Sequence, residues 1–356
     1  MPTIFRFFLK LLLALPDSWK IKLTGGKQIV IQGKELDLKT QVICWINRIF
    51  PNIENFKPST SRMLFNSSSQ ILSYKSLFIP KVETTVIGDI HNAFKIRIYN
   101  PDPNRDKHPI LVYLHGGGHV IGNINSYDSI CRSLAYYTPC LVFSIDYRLA
   151  PEFPFPSPLE DSLRAYLWIR NNAIRLGGDP DRIAIAGDSA GGNLAIATAI
   201  RLKEINEYLP NFLGLIYPMT DVSTEHPSYE TFQDGFILTR NLMRWFINHH
   251  TTNTSDRKNP LASPLLYPDF EGFPNTYIST AGFDPLSDEG KALAYKLGKS
   301  KVKVVHSDFP NLIHGYINMI DLLPSAWEAF QDFLKFLKTE WSDHLKTDSL
   351  DNDTIE

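Results

Sequence analysis

The spacing of hydrophobic positions changes at about residue 80, and this change divides the chain. Before it, apolar residues recur at helical intervals, most clearly in 36–50, with no alternation of strands and helices. After it, short apolar runs alternate with amphipathic helical stretches, which is typical of βα units on a parallel sheet. The pattern therefore predicts an α/β protein with a mostly parallel central sheet, flanking helices and a helical cap.

The predicted strands are short runs rich in β-branched and aromatic residues between turn signals, at 82–86, 93–99, 110–114, 140–145, 182–186, 212–216, 276–280 and 302–305. After residue 80 the amphipathic stretches predict helices at 127–137, 159–176, 193–200, 289–297 and 325–341. Serines dominate 59–69, and this stretch is predicted to be a mobile connection.

The alternation stops after the sixth predicted strand, where aromatic residues accumulate. We interpret this stretch as an insertion that packs with the amino-terminal helices as a lid. The last residues are rich in acids and are expected to be disordered. The predicted organisation is a cap segment at 1–76, core parts at 77–222 and 274–342, a cap insertion at 223–273 and a disordered acidic tail at 343–356.

Composition narrows the range of functions. A chain of 356 residues can bury the core of one large α/β domain. Its 36 Lys and Arg against 38 Asp and Glu give a net charge of −2, which argues against a nucleic-acid partner. Cys44, Cys131 and Cys140 are odd in number and lack Cys-x-x-Cys spacing. We therefore expect neither a disulfide framework nor a metal site. We expect the protein to reside in a reducing compartment.

The first residues, Ile4 to Leu15, are apolar enough to resemble the start of a signal peptide. However, Lys10 interrupts the apolar run, and no pair of small residues marks a cleavage site. The run is also too short and too charged to span a bilayer. We expect a cytoplasmic protein whose amphipathic first helix covers a binding cleft or, as the alternative, contacts a lipid surface.

A tight turn with the pattern Gly-x-Ser-x-Gly lies between the strand 182–186 and the following helix. Its members are Gly187, Ser189 and Gly191. This is the context of a nucleophile elbow, in which a strained backbone raises the serine hydroxyl above the sheet edge. Glycine is needed on both sides because a side chain there would collide with the neighbouring strand and helix. Alone, the pattern also fits an ordinary glycine-rich turn.

A second glycine-rich motif, His115-Gly116-Gly117-Gly118, directly follows the strand 110–114. Consecutive glycines let backbone N–H groups face a ligand, and such donors stabilise the oxyanion of acyl transfer. The N–H of Ala190, the residue after the serine, would be a further donor. Either motif alone is weak evidence, and together they indicate a serine hydrolase.

With these motifs the chain resembles the hormone-sensitive-lipase-like family of α/β-hydrolase esterases. The resemblance extends in the family's order from about residue 80 to the last helix, and it includes Tyr147-Arg-Leu-Ala-Pro-Glu152, Asp284-Pro-Leu-Ser-Asp-Glu-Gly290 and His314-Gly315-Tyr316. It implies an α/β-hydrolase fold, ester hydrolysis without a cofactor, and an acid at Asp284.

A catalytic base is expected late in the chain, after the last strand. Among ten histidines, His314 fits because a short loop connects it to the strand 302–305 and Gly315 leaves room beside its ring. For the acid, Asp284 follows the strand 276–280, whereas Asp288 begins a helix, where a carboxylate complements the dipole.

Three other polar residues near the motifs are given supporting roles. Asp188 and Asp161 are expected to be structural hydrogen-bond partners, and His115 to orient the glycine loop. His119 departs from the family, which usually has an apolar residue there. It is interpreted either as a tolerated substitution or as an ionisable ring near the acyl or alcohol pocket.

The sequence therefore predicts a serine carboxylesterase that acts on a small-molecule ester with short to medium acyl chains. An amide hydrolase of the arylacetamide-deacetylase type is the alternative enzyme. A receptor that binds a ligand under the lid without turnover is the alternative from another class. The sequence determines neither the natural ester nor the oligomeric state, and a homodimer is one of the states that it leaves open.

Overall fold

The computed structural model describes residues 2–72 and 76–352, and no side chain beyond residue 342 is described. The strands are β1 (Val30–Ile31), β2 (Lys34–Glu35), β3 (Lys81–Ile87), β4 (Phe94–Asn100), β5 (His108–Leu114), β6 (Leu141–Asp146), β7 (Gly178–Asp188), β8 (Phe212–Ile216), β9 (Asn275–Phe283) and β10 (Val304–Ile313). The helices are α1 (Pro2–Leu13), α2 (Asp17–Leu23), α3 (Leu38–Asn47), α4 (Pro58–Leu72), α5 (Asp128–Tyr137), α6 (Ser157–Asn172), α7 (Ala190–Glu204), α8 (Pro227–Thr231), α9 (Arg240–His250), α10 (Ser287–Lys299) and α11 (Pro324–Asn352). In this part of the chain, no helix has the length and apolar content needed to cross a membrane.

One central sheet contains β3 to β10, in the order β10-β9-β8-β7-β5-β6-β4-β3. Its strands are parallel except that β4 runs antiparallel to both of its neighbours. The predicted mostly parallel α/β sheet is confirmed. Because the strands β5, β7, β9 and β10 are parallel, the loops after them emerge at one edge of the sheet, where ligands of such sheets bind.

The two faces of the sheet are covered by separate apolar clusters because side chains alternate along each strand. On β5, Leu111 and Tyr113 face a cluster that includes α5, α11 and the amino-terminal helices. Ile110 and Val112 face the opposite cluster, which includes α6, α7 and α10. Full burial of one such side chain contributes about 1.5–3 kcal/mol, so the two layers hold the sheet edge firmly.

Helices from both predicted cap parts lie against the core. Leu9 of α1 and Val42 of α3 are buried in the same cluster as α11. Several aromatic residues of the insertion are buried, among them Tyr229 and Phe246. Near the end of this stretch, Phe270 and Phe273 are buried in the cluster that includes α7 and α10.

The serine-rich stretch 59–69 is helical, so its prediction as a mobile connection is wrong. It lies within α4, whose Phe65 and Ile71 pack against the core cluster. The serine hydroxyls bond back to carbonyls of the same helix, as Ser67 does to Met63 at 2.9 Å. Packing of the apolar positions thus overrides the weak helix propensity of serine.

The last helix extends beyond its predicted end. α11 continues to Asn352, through most of the stretch expected to be a disordered tail. Between residues 342 and 352 the sequence contains neither proline nor glycine, so no residue type forces the helix to end there. Residues 353–356 of the predicted tail lie outside the described residues.

All three cysteines are buried and unpaired. Burial raises the pKa of Cys44, Cys131 and Cys140 to about 12, so their thiols stay protonated and unreactive.

Candidate active site

Three residues from separate loops form a continuous hydrogen-bond chain at the carboxyl edge of the sheet. Ser189 follows β7, Asp284 follows β9 and His314 follows β10. His314 Nε2 lies 2.9 Å from Ser189 Oγ, and His314 Nδ1 lies 2.8 Å from Asp284 Oδ2. The fully buried Asp284 also accepts the N–H of Leu286 at 2.8 Å, which fixes the carboxylate.

Ser189 occupies a strained backbone conformation, with φ 54° and ψ −118°. Its N–H donates to the carbonyl of Ile216 on β8 at 2.9 Å, so the turn is tied to the neighbouring strand. A Cβ on Gly191 would overlap the carbonyl oxygen of Leu114, and one on Gly187 would overlap the backbone of Gly191. Only glycine lets the chain turn tightly enough to raise the serine.

The glycine loop after β5 lies beside this turn. Gly117 and Gly118 have positive φ values of 115° and 59°. The carbonyl of Gly117 accepts the N–H groups of Val120 and Ile121, at 3.0 and 2.9 Å, and so closes the loop. Among the hydrogen bonds of the described residues, none uses the N–H of Gly117, Gly118 or Ala190. Ala190 begins α7, where the first N–H groups have no partner within the helix.

Asp188, the residue before the serine, joins the turn to the glycine loop. Its carboxylate accepts the N–H of Gly116 at 2.9 Å and the hydroxyls of Tyr113 and Tyr127 at 3.0 Å each. Tyr217 donates more weakly, at 3.5 Å. Burial raises the pKa of Asp188 to about 6, although these donors oppose the shift. The structure thus gives Asp188 the supporting contacts expected from the sequence.

His115 is part of the support of the same loop. Its Nδ1 lies 2.7 Å from the carbonyl of Gly116, and its ring stacks on Tyr147 at 4.3 Å. The Tyr147 hydroxyl donates to the carbonyl of His115 at 2.7 Å. Burial lowers the pKa of His115, which favours the neutral ring.

Comparison with known proteins identifies the family of the chain. The family model described as alpha/beta hydrolase fold matches residues 111–318. Carboxylesterase NlhH of Mycobacterium tuberculosis is 37% identical over 259 residues, which cover 72% of this chain and 81% of the relative. The chain belongs to the hormone-sensitive-lipase-like family of α/β-hydrolase esterases. It is a carboxylic ester hydrolase.

Two further relatives extend the comparison. Ethyl acetate hydrolase of Pseudomonas putida is 33% identical to this esterase over 279 residues, which cover 76% of this chain and 86% of the relative. The solved structure of ester hydrolase EH1AB1, from the metagenome of Lake Arreo, contains a derivative of bipyridine phosphonate. It superimposes with a TM-score of 0.83 at 34% identity, covering 86% of this chain and 99% of that chain.

The other acids considered from the sequence make different contacts in the esterase. Asp288, in the first turn of α10, accepts the N–H of Ser228 at 2.8 Å. Asp161 binds the guanidinium of Arg148 through two contacts of 2.9 Å. Asp284 is the carboxylate in contact with His314.

His119 lies under α9 and stacks on His250, with ring centroids 3.8 Å apart. Neither ring nitrogen of His119 has a hydrogen-bond partner among the described residues, and the same holds for Nδ1 of His250. Burial and the neighbouring His250 lower the pKa of His119 well below its usual 6.5. The lowered pKa favours a neutral ring, which contacts α9 through His250.

Sequence reasoning missed two contacts of the glycine loop with the cap. Phe246 of α9 lies so close to Gly118 that a Cβ there would overlap its ring. Arg62 of α4 donates to the carbonyl of Val120 at 2.8 Å. No local spacing marks either residue, because the contacts join segments far apart in the chain.

Proposed function

We propose that the esterase cleaves acyl esters through Ser189, His314 and Asp284, with an acyl-enzyme intermediate. The hydrogen-bond chain from Asp284 through His314 to Ser189 carries this proposal. It has the geometry that a nucleophile, its general base and the residue that orients the base require.

In the acylation step, Ser189 Oγ attacks the ester carbonyl while its proton moves to His314 Nε2. The carbonyl oxygen becomes an oxyanion, which the N–H groups of Gly117, Gly118 and Ala190 stabilise. Loss of one such donor typically raises the barrier by about 2.7–4 kcal/mol. The intermediate collapses when His314 returns the proton to the departing alcohol, which leaves the acyl group on Ser189.

In the deacylation step, water attacks the acyl-enzyme and gives a proton to His314. The same donors stabilise the second oxyanion. Collapse releases the carboxylic acid and returns the proton to Ser189 Oγ. Throughout, Asp284 holds the imidazole in the tautomer whose Nε2 accepts the serine proton, and it stabilises the imidazolium that forms.

For the substrate, we infer short to medium acyl chains and a cap formed by helices from 1–76 and 223–273. An apolar cluster joins Val120, which closely follows the glycine loop, and Ala190, which is itself a proposed donor, to Leu242 and Phe246 of α9. This lining suits an aliphatic acyl group, and Phe246 limits the space above Gly118. The relative named ethyl acetate hydrolase gives independent support for short chains.

The experiment compares the wild type with Ser189→Ala, His314→Ala and Asp284→Asn on p-nitrophenyl acetate, butyrate, octanoate and palmitate. We expect Ser189→Ala and His314→Ala each to lower kcat on the order of 10⁶-fold, and Asp284→Asn about 10⁴-fold. The wild type should prefer the acetate to octanoate range over palmitate. Full turnover by Ser189→Ala would exclude the mechanism. A matched p-nitroanilide, cleaved faster than the ester, would instead favour the amide hydrolase.

A further inference from the structure

The outward face of α1 is apolar. Ile4, Phe7, Phe8 and Leu11 recur at helical spacing and are 64%, 60%, 57% and 51% exposed. Water-soluble surface helices normally turn such a stripe toward the core. In this protein the apolar stripe faces away from the core, which is typical of a surface that a binding partner covers.

Contacts on the other side of α1 fix this orientation. Leu9 and Leu13 are buried in the core cluster. Arg6 donates to the carbonyl of Ile71 at 2.6 Å, and its guanidinium also pairs with Asp321. A rotation of α1 that buried the outward face would break this ion pair and expose both leucines. Packing on the other side of α1 therefore keeps the apolar face exposed in the folded protein.

The exposed face continues onto the turn that follows α3. Phe5 contacts Phe50 edge to face, with ring centroids 6.1 Å apart, and Phe50 is 52% exposed. We name Ile4, Phe5, Phe7, Phe8, Leu11 and Phe50 the amino-terminal apolar patch. Aromatic and leucine side chains of this kind suit the boundary between lipid headgroups and acyl chains.

Charge around the patch indicates which partner covers it. Residues 1–72 contain ten Lys and Arg against four Asp and Glu, a net charge of +6, whereas the rest of the chain carries 26 against 34, a net charge of −8. Lys10, Lys22 and Lys27 are exposed cations of this segment. A second copy of the chain would bring the same positive segment to the same face and would be repelled. An anionic phospholipid surface is complementary to both the apolar face and the charge.

We propose that the amino-terminal apolar patch docks on bilayers that contain anionic phospholipids. In the docked state Phe7, Phe8 and Leu11 enter the headgroup boundary, and the surrounding lysines contact lipid phosphates. The proposal concerns where the esterase resides and is independent of the triad. Docking would bring the cap, and with it the covered site, next to esters dissolved in the lipid.

Co-sedimentation of the full-length protein with vesicles tests the proposal. Vesicles of phosphatidylcholine mixed with phosphatidylglycerol are compared with vesicles of phosphatidylcholine alone, at low and high salt. The wild type should bind the mixed vesicles, and binding should fall with added salt and with removal of phosphatidylglycerol. Hydrolysis of p-nitrophenyl butyrate without vesicles checks that each variant is folded.

Three double variants distinguish docking through the patch from nonspecific hydrophobic binding. Phe7→Ser with Phe8→Ser should lower the partition coefficient about tenfold or more. Ile90→Ser with Ile174→Ser removes two side chains that are 92% and 79% exposed outside the patch, and should leave binding unchanged. Lys10→Gln with Lys22→Gln should weaken binding to mixed vesicles only.

Three results would overturn the proposal. The first is no binding of the wild type to mixed vesicles at low salt. The second is an equal loss of binding in the patch variant and in the Ile90 and Ile174 variant. The third is a concentration-dependent dimer, seen by analytical ultracentrifugation and lost in the patch variant, without vesicle binding. This last result would identify a second copy as the partner.

Discussion

At the scale of single residues, buried groups beside the active site respond to pH in opposite directions. The pKa of Asp188 is raised, so protonation at acid pH favours the folded protein. The pKa of His250 is lowered, so protonation of this residue at acid pH disfavours the folded protein. Burial is the largest cause in both cases, because it penalises whichever form is charged. Each group therefore predicts a distinct dependence of stability on pH.

Replacing Asp188 with Asn should cost more stability at pH 4 than at pH 7. The pKa of Asp188 is about 6 in the folded protein against its ordinary 3.8, so the folded state holds the proton more tightly. This contribution is fully present below pH 3.8 and is lost as the pH rises through about 6. The loss caused by Asp188→Asn should differ by up to about 3 kcal/mol between the two pH values.

Urea unfolding of the wild type and of Asp188→Asn at a series of pH values measures this difference. A difference between the two proteins that does not change with pH would contradict the raised pKa. Asn at this position can still accept the N–H of Gly116, so we expect the variant to fold.

Replacing His250 with Phe should make the esterase more resistant to acid. Burial lowers the pKa of His250 to about 3, while the unfolded chain takes up its proton near 6.5. The stability associated with the neutral ring is present above pH 6.5 and is lost as the pH falls toward 3. Relative to the wild type, His250→Phe should gain about 2 kcal/mol on going from pH 8 to pH 5.

The matched control is His91→Phe, at an exposed histidine. Thermal or urea unfolding of both variants across this pH range provides the measurement. The same gain in both variants, or none in His250→Phe, would show that the buried ring does not resist protonation.

At the scale of elements, α9 and the glycine loop form one wall of the site. Phe246 packs against Gly118, and one turn later His250 stacks on His119. Residues four apart lie on the same face of a helix, so both contacts come from one side of α9. In the proposed mechanism, the position of this helix would set how much room an acyl chain has beside the proposed oxyanion donors.

Phe246→Leu should shift substrate preference toward longer acyl chains. The smaller side chain opens space above Gly118, so the ratio of kcat/KM for p-nitrophenyl octanoate to that for the acetate should rise on the order of 10-fold, at the lower end of the ~10–200-fold by which a hydrophobic pocket discriminates one methylene. Phe336→Leu is the control, because Phe336 is buried to a similar degree in the opposite part of the molecule, on α11. The idea fails if both variants keep the wild-type ratio.

Elements with a strong local signal were predictable from the sequence, and those set by packing were not. Each of the eight strands expected from the hydrophobic pattern is present in the central sheet. β10 extends beyond its predicted end. The extension was not predicted because the middle of the strand contains exposed polar residues, His306 and Asp308 for example, and lacks the apolar run that marks a buried strand. α4 was not predicted because serine has a weak helix propensity, and the helix depends on contacts with distant segments.

The candidate site divides in the same way. Ser189, His314 and the glycine loop lie in local motifs, so the sequence alone predicts them as candidate site residues. The hydroxyl donors to Asp188 come from β5, from the residue before α5 and from the residue after β8, and only the folded sheet brings them together. The stack of His119 on His250 likewise joins segments that share no sequence signal.

At the scale of the whole molecule, the amino-terminal segment and the catalytic core are directly connected. Arg62 of α4 donates to the carbonyls of Val120 and Ala150, at 2.8 and 2.7 Å, and binds the carboxylate of Glu152. The pKa of Glu152 is lowered chiefly by this hydrogen bond to Arg62. The same segment carries the amino-terminal apolar patch, so the proposed bilayer contact and the glycine loop are connected through the amino-terminal helices.

The central claim is that Ser189 is the nucleophile, activated by His314. Its most direct test is mass spectrometry of the esterase after incubation with a p-nitrophenyl phosphonate, followed by peptide mapping. We expect one adduct per chain, on the peptide that contains Ser189, with none in Ser189→Ala and far slower labelling in His314→Ala. An adduct on a different residue, or ester hydrolysis that continues after Ser189 is fully labelled, would contradict it.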